Sequence, residues 1–218
     1  MGMPFSVQAF NQFLGANGQI GQQYAWYQSS ACPCCDPNSG AALPSCPLCL
    51  GRGKIYPAEP VDGVAAIAGQ RAQKDWAQFG QYESGDVVVT IPSDSPVYAM
   101  GQWDRVTALN TQQVFSLVLE SGSPVEKLYT SVLSVTLTFW LINGGTQIQQ
   151  GGIPTVNPNG TLSWPNGGQP PAGTQYTITG TKMLDYYCWG MYPTNRNFQQ
   201  GLALPRKVVL RDWDLFSR

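Results

Sequence analysis

The chain has 218 residues, long enough to bury a real apolar core as one domain with an appendage or as two small ones. Only 11% of its residues are charged, against roughly 25% in an average soluble protein, and the net charge of −1 offers no field for coating nucleic acid. It contains no histidine, which removes Ser–His and Cys–His catalysis, histidine metal ligands and histidine pH switching together.

The opening MGMPFSVQAFNQFLG lacks a basic stretch followed by a long apolar core, so it does not read as a secretory signal. No run approaches the roughly 18–20 apolar residues of a membrane span. The expectation is a soluble, cytosol-made protein with no membrane partner. Phe5, Ala9, Phe10, Phe13 and Leu14 fall at helical spacing before Gly15, which predicts a short amphipathic helix. QQYAWYQ (22–28) then reads as a strand leading into a cysteine cluster.

Residues 32–53, CPCCDPNSGAALPSCPLCLGRG, hold five of the six cysteines. Cys32, Cys35, Cys46 and Cys49 form a C-x2-C-x10-C-x2-C pattern. A two-residue spacer lets a turn aim both sulfurs at one point, and two such turns offer four thiolates as a tetrahedron. An all-sulfur set is soft and selects zinc or iron over magnesium or calcium. A closed set leaves no open metal position, so the expectation is a structural Zn2+. Pro37, Gly40 and Pro44 make the intervening segment a loop. CPLCLGRG resembles the CxxCxGxG unit of the zinc-binding region of DnaJ-type chaperones, with Gly51 and Gly53 where the chain must turn tightly. Cys34 leaves two readings of the first pair. Ligation runs through Cys32 and Cys35, which have the proper spacing, or swaps to Cys34. Disulfides are the alternative to metal, opposed by the missing export signal and by the adjacency of Cys34 and Cys35. A redox motif would sit between a strand and a helix, and the prolines oppose a helix here.

Beyond the cluster, strands are expected throughout. KIYPAEP leaves it as a strand, and VDGVAAIAGQ reads as another. ESGDVVVTIPSDSP is a turn–strand–turn unit, with Gly85 at the bend and Pro92 and Pro96 closing it. YAMGQWDRVTALN and QQVFSLVLESG follow as two strands, the second apolar on both faces and therefore expected to be buried on both. In SVLSVTLTFWLING (131–144), Leu133, Val135, Leu137, Phe139 and Leu141 point one way and Ser134, Thr136 and Thr138 the other. Asn143-Gly144 matches a tight hairpin turn. Residues 144–175 are rich in Gly, Pro and Asn, with regularly placed Ile148, Ile153, Val156, Leu162 and Trp164, the pattern of short hairpins. YTITGTK, LDYYCWGMYP and ALPRKVVLRDWDLF resume the strands. The expected fold is all-β: a β-barrel or sandwich core with a short N-terminal helix, a zinc-knuckle insertion and a second small β-hairpin region. Its expected divisions are 1–30 for the helix and leading strand, 31–54 for the knuckle, 55–143 with 186–218 for the barrel core, and 144–185 for the Gly/Pro-rich β insert.

Nothing else asks for catalysis, and no enzyme activity is expected. Asp212 and Asp214, two apart in a strand, are read as a solvated or subunit-facing edge, and Asp104-Arg105 as an ion pair across strands or subunits. Arg206, Lys207 and Arg211 are read as forming salt bridges to a partner, with phosphate contact as the alternative. Cys188 reads as a buried apolar thiol.

Three stretches together resemble a group of tailed-bacteriophage virion proteins of the head–tail neck, its connector or stopper subunits. They are the knuckle running into KIYPAEPVDG; residues 79–109, FGQYESGDVVVTIPSDSPVYAMGQWDRVTAL; and residues 186–216, YYCWGMYPTNRNFQQGLALPRKVVLRDWDLF. The middle stretch carries most of the likeness, a GD-strand-P-x-D-S-P unit followed by DRV. The resemblance implies a virion structural protein assembled as a six- or twelve-fold homo-oligomeric ring around the DNA channel. Its implied partners are neighbouring neck, portal-side or tail-tube proteins, with packaged DNA passing through without sequence-specific contact. The knuckle and the 144–185 insert depart from the smallest stopper proteins. A ring subunit needs broad, low-charge contact faces, which this composition offers. The alternative is a zinc-ribbon module binding nucleic acid or another protein. A carbohydrate-binding or fibre protein is a third class, opposed by the lack of repeats.

Overall fold

The computed structural model of the chain describes residues 6–15, 20–49, 51–68, 70–78, 80, 82–191, 198–199 and 201–216. It opens with helix α1 (Val7–Gly15), whose buried residues Val7, Asn11 and Leu14 lie on one helical face. Asn11 anchors it: the side-chain amide donates to Ser93 Oγ at 2.7 Å and its oxygen accepts the Ser93 N–H at 3.2 Å. Phe5, placed on this helix by its spacing, lies outside the described residues.

In chain order there follow β1 (Gly21–Tyr27), β2 (Ser30–Ala31), β3 (Lys54–Ile55), β4 (Val61–Ile67), helix α2 (Gln70–Gln78), β5 (Val87–Ile91) and a 3-10 turn (Pro96–Ala99). Next come β6 (Arg105–Glu120), β7 (Val132–Ile142), β8 (Gln147–Gln150), β9 (Thr155–Val156), β10 (Leu162–Ser163) and β11 (Gln175–Met191). The chain finishes with β12 (Phe198–Gln199), β13 (Leu202–Ala203), β14 (Arg206–Asp212) and a short 3-10 turn (Trp213–Leu215). Helix α2 corrects the expectation of a single helix. Its Ala, Gln, Lys and Arg are good helix formers, a signal overshadowed by the strand patterns on either side. Ala72 and Trp76, four apart, bury one face against Val88 and Val209.

The chain forms two compact units, residues 1–109 with 185–218, and residues 110–184. In the first, the strands run β14-β5-β4-β1-β6-β11, and β11 pairs back onto β14 to close a six-strand barrel. This is the expected all-β barrel. Val88, Val89, Val106, Val208 and Val209 are fully buried in its walls, β-branched side chains suited to a pleated surface. Closure leaves these six strands without a free edge.

Charged side chains inside this unit pair within the chain. Arg211 Nε donates to Asp86 Oδ1 and Nη2 to Oδ2, each at 2.9 Å, so Arg211 does not face a partner. Asp104 is not paired with Arg105. Its carboxylate accepts from Trp26 Nε1 at 2.7 Å, the Ser29 N–H at 2.7 Å and the Gly101 N–H at 2.6 Å, while Arg105 donates to Asp185 at 3.2 Å. Asp212 ends β14 and caps the turn after it, accepting the Asp214 N–H at 2.9 Å, so Asp212 and Asp214 do not share a strand edge.

In the second unit the order is β6-β11-β7-β8. β7 and β8 form a hairpin where Asn143-Gly144 was expected to turn, but its loop is longer than a two-residue turn: Ile142 stands opposite Gln147, and Asn143, Gly144 and Gly145 all have positive φ, 51°, 68° and 89°. β9 and β10 form the short hairpin expected in the Gly/Pro-rich region. The core gathers Phe115, Leu128, Trp140, Tyr176 and Ile178. This unit begins at residue 110 and not at 144, so residues 110–143 belong to it and not to the barrel unit. Alternation identifies a strand but not the sheet it joins. β6 is one continuous strand where two were expected, and it is not buried on both faces: Phe115 is buried, while Val114 and Val118 are 70% and 64% exposed. In β7 the alternation is present, yet Thr138 and Trp140 are the buried side and Leu137 and Leu141 the open one.

Candidate metal centre

β2 and β3 pair antiparallel, Ser30 opposite Ile55 and Ala31 opposite Lys54, and so pin both ends of the cysteine loop. The Cys32 N–H donates to the Gly53 carbonyl at 2.9 Å and closes its base. Inside the loop, the Cys35 N–H donates to the Cys32 carbonyl, the Cys46 N–H to Leu43 and the Arg52 N–H to Cys49, each at 3.0 Å. Asp36 holds the outer turn by accepting from the Ser39 and Asn38 N–H groups at 2.7 and 3.0 Å. Gly51 and Gly53 both lie in the left-handed region, φ 80° and 73°. A Cβ on Gly53 would stand 3.2 Å from the Cys35 sulfur, and one on Gly51 3.3 Å from the Pro44 carbonyl oxygen. That is the physical content of the CxxCxGxG spacing.

These turns gather the sulfurs of Cys32, Cys34, Cys46 and Cys49 within 4.8 Å of one another. Cys32 and Cys46 are 3.8 Å apart, Cys34 and Cys49 3.4 Å. A tetrahedral thiolate site with metal–sulfur bonds of about 2.3 Å requires sulfur–sulfur separations of about 3.8 Å. The donor set therefore fits a divalent metal, and all six cysteines are free thiols. The gathered set differs from Cys32, Cys35, Cys46 and Cys49 at one place. Cys34 joins the other three, whereas the Cys35 sulfur donates to the Gly53 carbonyl at 3.4 Å. The Cys35 N–H closes a tight turn onto Cys32, which leaves Cys34 at the crest beside Cys49 and turns Cys35 towards Gly53.

The cluster is electrostatically uneven. The N–H groups of Cys49 and then Leu48 point at the Cys46 sulfur and lower its thiol to about 6. Cys34 goes the other way. The Leu43 backbone lowers it, but burial and the neighbouring sulfurs of Cys32, Cys49 and Cys46 together outweigh that and push it up. Thiolates this close repel one another, and a bound cation is what lets all four ionise.

The loop is fastened to the barrel unit by aromatic contacts that sequence patterning did not reveal. Arg52, between the two glycines, lies over the Trp213 ring at 5.1 Å and the Phe216 ring at 5.9 Å. Tyr56 packs edge-on against Trp213 at 5.5 Å, and its hydroxyl donates to the Trp103 carbonyl at 2.9 Å. The one signal available was an arginine held between two glycines. Cys188 is fully buried, as expected of an apolar thiol.

Fold and site together define a closed six-strand β-barrel unit carrying a four-cysteine candidate metal centre. No family model matches the chain, and no curated protein matches it. Among the described residues, no helix is long and apolar enough to cross a membrane.

Proposed function

We propose that the chain is a structural subunit of a bacteriophage head–tail neck. It assembles as a six- or twelve-fold homo-oligomeric ring that joins the portal side to the tail around the DNA channel in the virion, and acts by assembly and not by turnover. The cysteine loop holds one structural Zn2+ per chain, because a closed, largely buried set of four sulfurs suits a redox-inert ion without geometric demands of its own.

The observation that carries this reading is where the residues of the resemblance lie in space. β5 and β14, from stretches far apart in sequence, are adjacent barrel strands in register from Arg206 opposite Ile91 to Leu210 opposite Val87. Residues 186–191 of β11 flank the other side of β14. Parts of two of the stretches that carry the resemblance are thus neighbours in one barrel wall, which supports reading them together. Low charge supports it too, since ring closure needs broad faces that bury without stranding ions.

Electron microscopy of the purified protein, with elemental analysis, tests the reading. Rings of uniform diameter with a central channel and one zinc per chain are expected; a metal-free monomer at every concentration overturns it. A second reading, a zinc-ribbon module that binds another protein, is favoured by Leu43 and Leu48, both exposed on the loop. A zinc-loaded protein that stays monomeric would support that reading over the ring.

A further inference from the structure

We infer that the outward face of the second unit's sheet is covered by a neighbouring copy of this chain. The inference rests on the homo-oligomer of the proposed function and names its contact face.

The face is built by cross-strand rungs. Leu141 of β7 stands opposite Ile148 of β8, and the two are 57% and 67% exposed. Leu137 stands opposite Thr179 of β11, whose hydroxyl bonds Ser116 of β6 at 3.2 Å, which places β6 on the same face. Val114 and Val118 flank Ser116 at two-residue steps and so project to this side, as open to solvent as Ile148. The core of the unit lies on the opposite side, with Phe115, Trp140 and Ile178. The sheet is thus apolar on both faces, and only one of them is covered among the described residues. Contiguous exposed apolar area of this kind marks an interaction site.

Charge decides what covers it. None of the side chains in these rungs is charged, and Glu120 at the end of β6 is the nearest acid along that strand. The whole unit, residues 110–184, has four charged side chains, Glu120, Glu126, Lys127 and Lys182, whose signs cancel. A nucleic acid would find no cations to meet its phosphates. A lipid surface would find neither the basic residues nor the exposed Trp that interfacial binding uses. A charged protein partner would strand its own ions against threonine and leucine. A copy of this sparsely charged chain is matched in polarity and always present at equal concentration.

The area suffices as well. Four strands spaced about 4.8 Å apart and about eight residues long give a projected face on the order of 500 Å², more once side-chain relief is counted. Two such faces would together bury on the order of 1,000 Å², the area a specific interface must reach.

The test uses the full-length protein with Val118→Glu and Leu141→Glu, singly and combined, sized by mass photometry and light scattering from nanomolar to high micromolar concentration. Both side chains are exposed, so circular dichroism and the zinc content should stay at wild-type values. The combined variant should need roughly a hundredfold higher concentration to assemble, because each carboxylate would be buried unpaired. Hydroxyl-radical footprinting of the wild type serves as the second readout, with protection expected at Leu141, Ile148 and Val118 on assembly. Assembly of the variant at wild-type concentration, or equal oxidation of those residues in monomer and assembly, overturns the inference while leaving the ring reading intact. Wild-type dimers that the substitutions split would uphold the face and sink the ring. A wild type that is monomeric throughout sinks both.

Discussion

Cys34 and Cys35 are neighbours with different tasks: one sulfur lies in the four-sulfur cluster and the other against a backbone carbonyl. Cys34→Ser should therefore lower zinc affinity by more than the roughly 10–100-fold typical of losing a supporting group, whereas Cys35→Ser should stay within that range. Competition with a coloured chelator measures both, and equal losses would return Cys35 to the ligand set. Cys188 offers a separate check. Burial first, and then the nearby Asp104 carboxylate, raise its thiol to about 12. At pH 8 it is protonated, and thiolate forms only as pH rises towards that value, so a thiol reagent should leave Cys188 unlabelled in the native protein and react with it after unfolding. Labelling of Cys188 at the rate of an exposed thiol would refute its burial. At this scale the sequence was partly legible. The turns, the glycines and three of the four gathered sulfurs followed from spacing, but the choice between Cys34 and Cys35 depended on which way one tight turn faces. Trp103 was illegible for a similar reason. It adopts φ of 71°, rare for a residue with a side chain, while its N–H donates to the Cys188 carbonyl at 2.7 Å. Only the tertiary partner selects that conformation.

Asp86 joins three elements through one carboxylate. It pairs with Arg211 on β14, accepts from Trp76 Nε1 of α2 at 2.9 Å, and accepts the Glu83 N–H at 3.1 Å, just ahead of β5. Its side chain is inaccessible to solvent, and Arg211 also lies over the Trp189 ring at 4.1 Å. Removing one partner of such a pair leaves an uncompensated buried charge. Asp86→Ala should then destabilise the barrel unit by about 3–5 kcal/mol, while the combined Asp86→Ala, Arg211→Met change should recover much of that. Urea denaturation of the single and combined variants measures the difference, and a neutral single variant would contradict the geometry. Strands were the most legible elements, because two-residue periodicity survives in one sequence. Which face of each strand is buried was not legible in β6 and β7, where both sides carry apolar residues and a Thr138 hydroxyl donating to the Gly152 carbonyl at 2.8 Å is buried as comfortably as a leucine. Helix α2 was missed because its one buried stripe, Ala72 and Trp76, is too short to stand out from the strands around it.

The largest-scale consequence concerns how the cysteine loop and the barrel share stability. Among the described residues, Ala42 and Ile55 supply the other apolar packing around the loop's sulfurs, so the loop has little core beyond what a bound metal would add. The barrel strands have their own, in the buried valines of β5 and β14. Metal removal should therefore be a local event. Under a strong chelator, amide hydrogen exchange across 32–53 should speed up by at least about tenfold, while the amides shared between β5 and β14 should keep their protection. Acid should act in the same direction. Zinc binds thiolates, so protons compete with it: Cys46 takes up its proton as pH falls through about 6, and Cys32 and Cys34, both raised, do so at higher pH. Zinc affinity should thus weaken steadily from pH 8 downwards, by at least about tenfold per pH unit, and the loop should open before the barrel does. A barrel that melts together with the loop on chelation would mean that Arg52 and Tyr56, stacked on Trp213, carry the metal's stabilisation into the strands. Arg52→Ala then separates the two cases. If the contacts only dock a self-sufficient barrel, the substitution frees the loop and leaves the melting temperature of the barrel where it was; if they transmit stability, it lowers that temperature even with zinc bound.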